Sequence, residues 1–314
     1  MRALVTGAGG FVGPYLIKLL LTRGYQVFGA LHKKNLEIYR GNNNFSPVFL
    51  DLTDLASVRD ALYFSQPDEI YHLAAVAITV GIEPEMYYRV NFQGTYHLLK
   101  AVKDIVPRSR VLLASSANAY GAVKKEEIPI LESHPLFPNN HYAASKAAAE
   151  SLACAYFAEG LQVVRARPFN HTGPGQTTDY VCSRLAKEVA EIALGNKEPV
   201  IEAGNLDSAR DFTDVRDVVE AYWLLLQKGV EGEAYNICSQ RAYSIREIIN
   251  ILTGLAGIKA NVNSVPALKR RMDIPVLIGS KDKIYLDIGW APKIKFEDTL
   301  KDILDFWLWQ LKKE

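Results

Sequence analysis

The sequence is poor in cysteine and has no long hydrophobic run, and these absences exclude several classes of protein. The 314 residues include three cysteines, Cys154, Cys182 and Cys238, with no Cys-x-x-Cys or Cys/His spacing. We therefore expect no disulfide framework, no metal site and three buried apolar thiols. No stretch reaches the roughly 18 uninterrupted apolar residues of a membrane span, and the first residues lack the layout of a signal peptide. We expect a cytoplasmic protein without a membrane partner.

The chain also lacks an excess of charge of either sign. Lysine and arginine together number 36 and aspartate and glutamate 35, which gives a formal net charge of +1. Because no large positive field attracts polyanions, we predict no nucleic-acid partner. An anionic small ligand must instead be held by local groups.

Short apolar runs alternate with helical patterns over the first half of the chain. The predicted strands are Arg2–Val5, Val27–Ala30, Val48–Leu50, Glu69–Leu73, Arg110–Ala114 and Gln162–Ala166. The predicted helices are Phe11–Thr22, one from Asp54, Met86–Val106 and Tyr142–Glu159. Apolar strands separated by helices predict an α/β fold of the Rossmann type, with a doubly wound parallel sheet covered on both faces.

The alternation of strands and helices ends after Arg167, where one loop is rich in proline and glycine and the later predicted elements are shorter. A helix at Asp214–Gln227 and a strand at Ala234–Ile237 return to the Rossmann pattern, while Val262–Pro266 and a helix from Phe296 belong to a smaller unit. We therefore predict a Rossmann domain over 1–167, with 213–239 returning to it. Residues 168–212 and 240–314 are predicted to form a smaller, interleaved C-terminal substrate-binding domain.

A glycine-rich loop follows the first strand and opens the first helix. It reads TGAGGFVG from residue 6. Gly7 permits the tight turn, Gly10 lets the backbone approach a pyrophosphate, and Gly13 allows close packing of helix on strand. The phosphates then meet free N–H groups at Phe11 and Val12, at the positive end of the helix. This context predicts a dinucleotide site.

The end of the second strand lacks the acid that takes the ribose 2′-OH of NAD. Instead it carries three potential cations, His32, Lys33 and Lys34, which would attract a 2′-phosphate. We therefore predict a preference for NADP(H), with NAD(H) as the alternative. Asp51 and Leu52 follow the third strand. Asp51 is predicted to accept from the adenine amino group, and capping of the next helix is the alternative.

Tyr142 and Lys146 form a Tyr-x-x-x-Lys pair on a predicted helix. Positions i and i+4 lie one turn apart on one face, so the phenol and the ammonium project together. A cation beside a phenol lowers its pKa toward the working range of a general acid or base. Ser115 and Ser116 end the preceding strand, at the sheet edge where open α/β sheets bind ligands. A hydroxyl there can bond the substrate oxygen that Tyr142 protonates.

These motifs, in this order, resemble extended short-chain dehydrogenases/reductases of the NAD-dependent epimerase/dehydratase family. Further segments that carry the resemblance are His72-Leu73-Ala74-Ala75, Asn91 with Gly94-Thr95, and Arg167-Pro168-Phe169-Asn170. The resemblance covers nearly the whole chain. It implies that Ser116, Tyr142 and Lys146 form the catalytic triad, with Lys146 also holding the nicotinamide ribose. It further assigns Leu73, Ala74, Ala75, Asn91 and Pro168 to the cofactor site.

One position separates reduction from dehydration within this family. Relatives that dehydrate nucleotide-sugars take the C5 proton with a carboxylate two residues before the Tyr-Gly pair that corresponds to Tyr120-Gly121. This chain has Asn118 there, and an amide cannot act as a general base. The GDP-mannose 4,6-dehydratase alternative is therefore disfavoured, and Asn118 is predicted to contact substrate.

The second half resembles GDP-4-keto-6-deoxy-D-mannose reductases. The matching segments are 167–176 (RPFNHTGPGQ), 204–217 (GNLDSARDFTDVRD), 235–239, 275–280 and 289–293. Reduction at C4 needs a hydride donor, a proton donor and a polarising hydroxyl, for which NADPH, Tyr142 and Ser116 suffice. We predict NADPH-dependent reduction of the C4 ketone of a nucleotide-linked 4-keto-6-deoxyhexose, and the resemblance implies GDP-4-keto-6-deoxy-D-mannose going to GDP-D-rhamnose.

Two arginines are candidates for the nucleotide diphosphate, because a guanidinium pairs bidentately with phosphate oxygens. These are Arg210 and Arg270. By resemblance, Arg270 and Asp273 fit an Arg-x-x-acid pattern in which the acid holds the nucleotide ribose, although Arg271 stands where the family usually has proline. Asn170 is predicted to contact the diphosphate or the sugar. For each residue an ordinary surface salt bridge is the alternative.

Two other functions remain open at this stage. A nucleotide-sugar 4-epimerase uses the same triad, but it would be expected to carry an acid after the second strand. A non-catalytic dinucleotide-sensing protein would be expected to lose the tyrosine or the lysine, and both are present. The family also implies a homodimer built on the predicted helices Met86–Val106 and Tyr142–Glu159. Their outer faces carry Tyr88, Tyr96, Tyr156 and Phe157, which could equally be covered within one chain.

Overall fold

The computed structural model describes residues 1–32, 42–78, 81–265 and 276–313. The predicted site residues Lys33, Arg270 and Asp273 lie outside these ranges, and so does Lys34, the other lysine predicted to attract a 2′-phosphate. The strands are β1 Arg2–Thr6, β2 Gln26–Leu31, β3 Phe45–Phe49, β4 Glu69–His72, β5 Arg110–Ala114, β6 Val163–Pro168, β7 Asn170–Thr172, β8 Val200–Ala203, β9 Ala209–Asp214, β10 Ala234–Ile237, β11 Ala242–Ser244, β12 Asn261–Ser264 and β13 Val276–Leu277. The helices are α1 Val12–Thr22, α2 Leu55–Ser65, α3 Pro84–Tyr87, α4 Gly94–Ile105, α5 His141–Ala158, α6 Val181–Ala193, α7 Val215–Lys228, α8 Ile245–Ala256, α9 Asp282–Ile288 and α10 Phe296–Leu311.

Seven strands form one sheet in the order β3-β2-β1-β4-β5-β6-β10. Every neighbouring pair in it is parallel. The strand order reverses between β1 and β4, and such a switch point opens a crevice at the carboxyl ends of the strands. The predicted Rossmann α/β fold is confirmed.

The sheet is buried on both faces, and β1 shows how the sequence achieves this. Successive side chains of a strand point to opposite faces. Ala3 and Val5 accordingly join a core with α1 and α7, where Leu16 and Leu225 are fully buried. Leu4 points the other way, into the core formed with α2, α4 and α5. Burial on both faces favours apolar residues at successive positions, as in the Ala3-Leu4-Val5 run of β1.

A third core lies among α6, α8 and α10. Beside these helices, β9 pairs antiparallel with β11 and parallel with β7 and β13, and β8 pairs with β12. α7 packs on the large sheet and β10 belongs to it. The division into two domains with the predicted boundaries remains a prediction.

The helical stretch predicted over Met86–Val106 is confirmed, because α3, a π-helical turn at Tyr88–Gln93 and α4 follow one another without a break. The prediction that all three cysteines are buried was wrong. Cys154 is exposed, because it lies on the solvent side of α5, whereas Cys182 and Cys238 are buried. None of the helices within the described ranges has the length and apolar character needed to cross a membrane.

Candidate active site

A cavity of about 530 Å³ lies at the carboxyl ends of β1, β4, β5 and β6. It extends from the glycine loop to the segment before β9. The predicted site residues that line it are Gly7, Gly10, Phe11, Val12, Gly13, Leu73, Ala75, Ser116, Asn118, Tyr142, Lys146, Pro168, Asn170 and Arg210. Other predicted residues do not line it, namely His32, Asp51, Leu52, Ala74 and Asn91.

The glycine loop packs so closely that two of its glycines, Gly7 and Gly13, cannot carry side chains. Gly7 has φ +72, and a Cβ there would lie 2.8 Å from the backbone nitrogen of Ala74. A Cβ on Gly13 would lie 2.6 Å from the carbonyl oxygens of Gly7 and Ala8. Gly10 faces the cavity at the start of α1, where unpaired N–H groups attract anions. This cradle fits a dinucleotide pyrophosphate.

Helix α5 places the tyrosine of the predicted pair in the cavity. Asn140 caps the helix, and its side-chain oxygen accepts from the Ala143 N–H at 2.9 Å. Tyr142 follows in the first turn. Burial raises the pKa of Tyr142 to about 12, and its hydrogen bond with Ser116 opposes this rise. The expectation that the pKa of this phenol is lowered was therefore wrong for this arrangement, because burial dominates.

Lys146 lies one turn later and is 6% exposed. Its ammonium donates to the carbonyl oxygen of Ala114, at the end of β5, over 2.7 Å. Burial lowers the pKa of Lys146 to about 8, and the charge of Glu150 opposes that fall. Lys146 is therefore a cation anchored on the sheet edge beside Tyr142.

The two serines after β5 have different environments. The Ser115 hydroxyl donates to the carboxylate of Glu150. The Ser116 side chain accepts from the Asn118 N–H at 3.1 Å and so begins the short 3₁₀ helix Ala117–Tyr120. Because that bond uses a lone pair of Ser116, its hydroxyl can donate its proton to the Tyr142 oxygen or to a substrate oxygen. Ser116 therefore matches the predicted polarising group better than Ser115.

The predicted adenine end lies beside β2 and β3. Asp51 Oδ2 is 3.5 Å from His32 Nε2, and Asp51 Oδ1 accepts from the hydroxyl and the N–H of Thr53. The Thr53 hydroxyl bond lowers the pKa of Asp51. The helix-capping alternative for Asp51 was wrong, because Asp54 caps α2. Leu52 is buried in the second core, so it contributes packing at this end.

Two predicted cofactor residues support the loop after β4 from behind. The Asn91 amide accepts from the Val76 N–H at 2.8 Å and donates to the Val76 carbonyl at 3.1 Å. It also donates to the Ser145 hydroxyl of α5 at 3.0 Å. The Ala74 N–H donates to the Thr6 hydroxyl at 3.2 Å. Asn91 and Ala74 thus fix the shape of the cavity wall.

The far side of the cavity includes residues that the sequence did not single out. The His171 imidazole donates through Nδ1 to the Phe169 carbonyl at 3.0 Å, and its ring is parallel to that of Phe11. Burial lowers the pKa of His171, so Nε2 is an acceptor. Other lining residues are Gln176, Tyr180, Arg184, Asn205, Ser208 and Tyr222. His171, Gln176, Asn205 and Ser208 lie in the two segments that resemble the reductases, a signal that could have identified them.

Comparisons with known proteins agree with this site. The model of a family described as GDP-mannose 4,6 dehydratase matches residues 4–303. The chain is 34% identical to the GDP-6-deoxy-D-mannose reductase of Pseudomonas aeruginosa, over 100% of this chain and 99% of the relative. It is also 34% identical to the GDP-6-deoxy-D-talose 4-dehydrogenase of Aggregatibacter actinomycetemcomitans, over 92% of each.

A solved structure described as RMD from Pseudomonas aeruginosa complexed with NADPH is similar throughout. Its TM-score is 0.87 and its identity 32%, covering 99% of this chain and 100% of that chain. The predicted resemblance is confirmed, and so is the prediction of an enzyme of the nucleotide-sugar oxidoreductase class. With nearly every residue of the chain inside the match, this protein belongs to the GDP-mannose 4,6 dehydratase family.

Proposed function

We propose that this protein uses NADPH to reduce the C4 ketone of a nucleotide-linked 4-keto-6-deoxyhexose, converting GDP-4-keto-6-deoxy-D-mannose to GDP-D-rhamnose. The observation that carries the proposal is Asn118, which lines the cavity together with Ser116, Tyr142 and Lys146. Dehydration needs a general base for the C5 proton, which an amide does not provide, whereas reduction needs none. The full-length similarity to a relative named as a reductase supports the same reaction.

Within the part of the chain that the structure describes, acidic side chains elsewhere in the cavity do not supply the missing base. Among the described lining residues, Asp179 is the one carboxylate. It is exposed and accepts from the Thr177 hydroxyl at 2.9 Å. A base that removes a carbon-bound proton gains strength from burial, which raises its pKa. The cavity therefore favours reduction over dehydration.

The residues of the site divide the work of reduction among them. NADPH, held along the glycine loop, supplies the hydride that C4 accepts. Ser116 donates a hydrogen bond to O4 and polarises the ketone. Tyr142 keeps its proton at neutral pH, because burial raises its pKa to about 12, and it donates that proton to O4. The alkoxide forming at O4 is a stronger base than tyrosinate, so the transfer is favourable, and Lys146 stabilises the phenolate left behind.

The cofactor preference is the second part of the proposal. β2 ends without an acid, and His32 follows it. A 2′-phosphate would meet this imidazole rather than a carboxylate at the position that recognises the 2′-OH of NAD. A similar structure is described as complexed with NADPH. We expect kcat/KM to be higher with NADPH than with NADH, and a strong preference for NADH would refute this part.

The reaction is tested by supplying NADPH or NADH with GDP-, dTDP- and UDP-4-keto-6-deoxy sugars. Stoichiometric loss of reduced-cofactor absorbance supports reduction. Conversion without net consumption of cofactor indicates an epimerase, and release of a 4-keto sugar from GDP-mannose indicates a dehydratase. NMR of the product distinguishes GDP-D-rhamnose from its C4 epimer, GDP-6-deoxy-D-talose, the sugar named in a second relative.

The role of Tyr142 is tested by Tyr142→Phe, which removes only the hydroxyl. Loss of a general acid costs about 10²- to 10⁴-fold in kcat, while NADPH binding, followed by fluorescence, should remain largely intact. Tyr156→Phe is the matched control, since Tyr156 lies on the same helix far from the cavity. Turnover retained by Tyr142→Phe would overturn the site assignment.

The predicted homodimer is also a proposal. Tyr156, which was predicted on these outer faces, is instead buried in the core of its own chain. Tyr88, Tyr96 and the neighbouring Phe92 are each 39% exposed on the π-helical turn and α4, and Phe157 is 42% exposed on α5. Large exposed aromatic side chains on neighbouring helices are typical of a protein interface. Sedimentation velocity should give a dimer, and a monomer at all concentrations would exclude it.

A further inference from the structure

A buried carboxylate lies one helical turn beyond Lys146 and takes no part in the reaction above. Glu150 is 1% exposed and follows Tyr142 and Lys146 at intervals of four residues on α5. Side chains at this spacing share one face of a helix. The three groups therefore form a row that runs from the cavity into the interior.

Hydrogen bonds from two strands hold the Glu150 carboxylate in place. The Arg167 guanidinium donates through Nε to both oxygens, at 3.0 Å each, and through a terminal nitrogen to Oε2 at 2.7 Å. The Ser115 hydroxyl donates to Oε1, and Arg165 lies 3.5 Å from Oε2. Ser115 directly precedes Ser116, so one carboxylate connects the end of β5, the end of β6 and the catalytic helix.

Arg167 is itself held from the other side. Its guanidinium donates to the Tyr120 hydroxyl and to the Glu132 carbonyl, at 2.9 Å each. The Tyr120 hydroxyl donates to the Asn236 side chain in β10 at 2.7 Å. Because these hydrogen bonds fix the carboxylate in the interior, its charge acts on Lys146 with little screening by solvent.

Lys146 needs such a negative charge nearby. Burial by itself removes protons from a lysine, and the charge of Glu150 is what opposes that effect at Lys146. Of the other titratable groups near Lys146, Tyr142 lines the same cavity, and His72 on β4 is neutral because burial lowers its pKa to about 3. Beyond the carboxylate lie two further cations, Arg165 and Arg167.

We propose that Glu150 is a positioning residue that keeps the ammonium of Lys146 charged, with Arg167 and Ser115 fixing its carboxylate at the required place. The proposal rests on the proposed function, because it gives Lys146 its role in the triad. Without the carboxylate, burial and the unpaired charge of Arg167 would both lower the pKa of Lys146. It would lose its proton within the working pH range.

The test is a direct titration of Lys146 by NMR. Enzyme labelled with ¹³C at lysine Cε is titrated, and the Lys146 signal is identified by its absence in Lys146→Met. In Glu150→Gln the midpoint should fall by at least about one pH unit relative to the parent enzyme. Glu150→Asp keeps the charge, so the midpoint should return toward the parent value. A merely structural role would lower stability or kcat but would leave the midpoint in place.

Glu150→Gln leaves Arg167 unpaired in the interior, which destabilises proteins strongly. The double variant Glu150→Gln/Arg167→Met removes both charges, and its midpoint should also lie below that of the parent. Glu69→Gln is the matched control, because Glu69 is a buried carboxylate bonded to Tyr71 at 2.7 Å and to Gln227 at the opposite end of the sheet. It should not move the midpoint.

An unchanged Lys146 midpoint in Glu150→Gln and in the double variant would overturn the proposal. The NMR titration needs no substrate, so its outcome is independent of whether the enzyme reduces a keto-sugar. Where turnover is measurable, the high-pH limb of kcat should shift down by the same amount in Glu150→Gln. A limb that stays in place while kcat falls would also count against it.

Discussion

Single residues in the glycine loop carry packing requirements that can be tested one at a time. Gly13 lies where α1 meets the loop, and a Cβ there would be 2.6 Å from two carbonyl oxygens. Backbone atoms on both sides cannot move without displacing the N–H groups that face a pyrophosphate. The requirement at Gly13 therefore belongs to binding as well as to stability.

Gly13→Ala is expected to weaken NADPH binding by about tenfold or more, and to lower the free energy of unfolding by about 1–3 kcal/mol, as overpacking does. Fluorescence titration with NADPH and urea unfolding measure the two effects. Gly9→Ala is the matched control, because its Cβ would meet only the end of the Leu31 side chain, at 3.1 Å. Equal affinities of the two variants would contradict this explanation.

At this scale the sequence predicts which residues meet, but not their protonation. The spacing of Tyr142 and Lys146 and the serine pair after β5 are local patterns, and the structure brings Ser116, Tyr142 and Lys146 to one cavity. The pKa of Tyr142 depends instead on burial, a tertiary property that a helical spacing does not contain. Glu150 was missed because its partner Arg167 lies on another element.

Among the elements, the π-helical turn at Tyr88–Gln93 is where sequence and structure differ most. The pattern over Met86–Val106 is apolar at helical spacing, so it predicts one continuous helix. In this turn each backbone hydrogen bond spans five residues instead of the four of an α-helix. Asn91, which lies in the turn, is buried. Its amide makes three hydrogen bonds, two with the Val76 backbone and one with the Ser145 hydroxyl of α5. No periodicity signals such an insertion, because the contacts that stabilise it are remote in sequence.

Asn91→Ala should leave the Val76 N–H and carbonyl without their side-chain partners. Loss of a buried hydrogen-bonding group lowers the free energy of unfolding by about 1–3 kcal/mol. Hydrogen–deuterium exchange should be faster in peptides that contain Val76, while most of the sheet stays protected. Gln93→Ala is the control on the same turn, because Gln93 is exposed. Equal exchange at Val76 in the two variants would exclude a supporting role for Asn91.

For the whole molecule, the alternation of apolar strands and helices predicts the parallel sheet and its two covered faces. β1 shows why this prediction succeeds. Its side chains point alternately into two cores, so a buried parallel strand can use few residue types other than apolar ones. The substrate side is less predictable. Its strands β7, β11 and β13 have three residues or fewer, too short to show an alternating pattern, and they are ordered by pairing with β9.

The stability of the whole chain should depend on pH through His72, which links β1, β4 and α4. The Thr95 hydroxyl donates its one proton to the Asn91 carbonyl at 2.6 Å, so at His72 Nε2, 3.0 Å away, it must accept. Nδ1 then accepts from the Thr6 hydroxyl at 2.8 Å. The imidazole is thus neutral, and burial lowers its pKa from 6.5 to about 3.

Because the pKa of His72 is lower in the folded state, the unfolded chain binds one more proton as the pH falls below 6.5. The stabilising contribution is therefore complete above pH 6.5 and is lost toward pH 3, with a slope of about 1.4 kcal/mol per pH unit. His72→Gln should be less stable than the parent near neutral pH, yet its free energy of unfolding should fall less steeply on acidification. Urea unfolding between about pH 7 and about pH 5 measures both slopes. The control is His141→Gln, at an exposed histidine, whose free energy of unfolding should depend on pH as steeply as that of the parent. If the free energy of unfolding of His72→Gln fell equally steeply with acidification, the acid sensitivity would arise elsewhere in the chain.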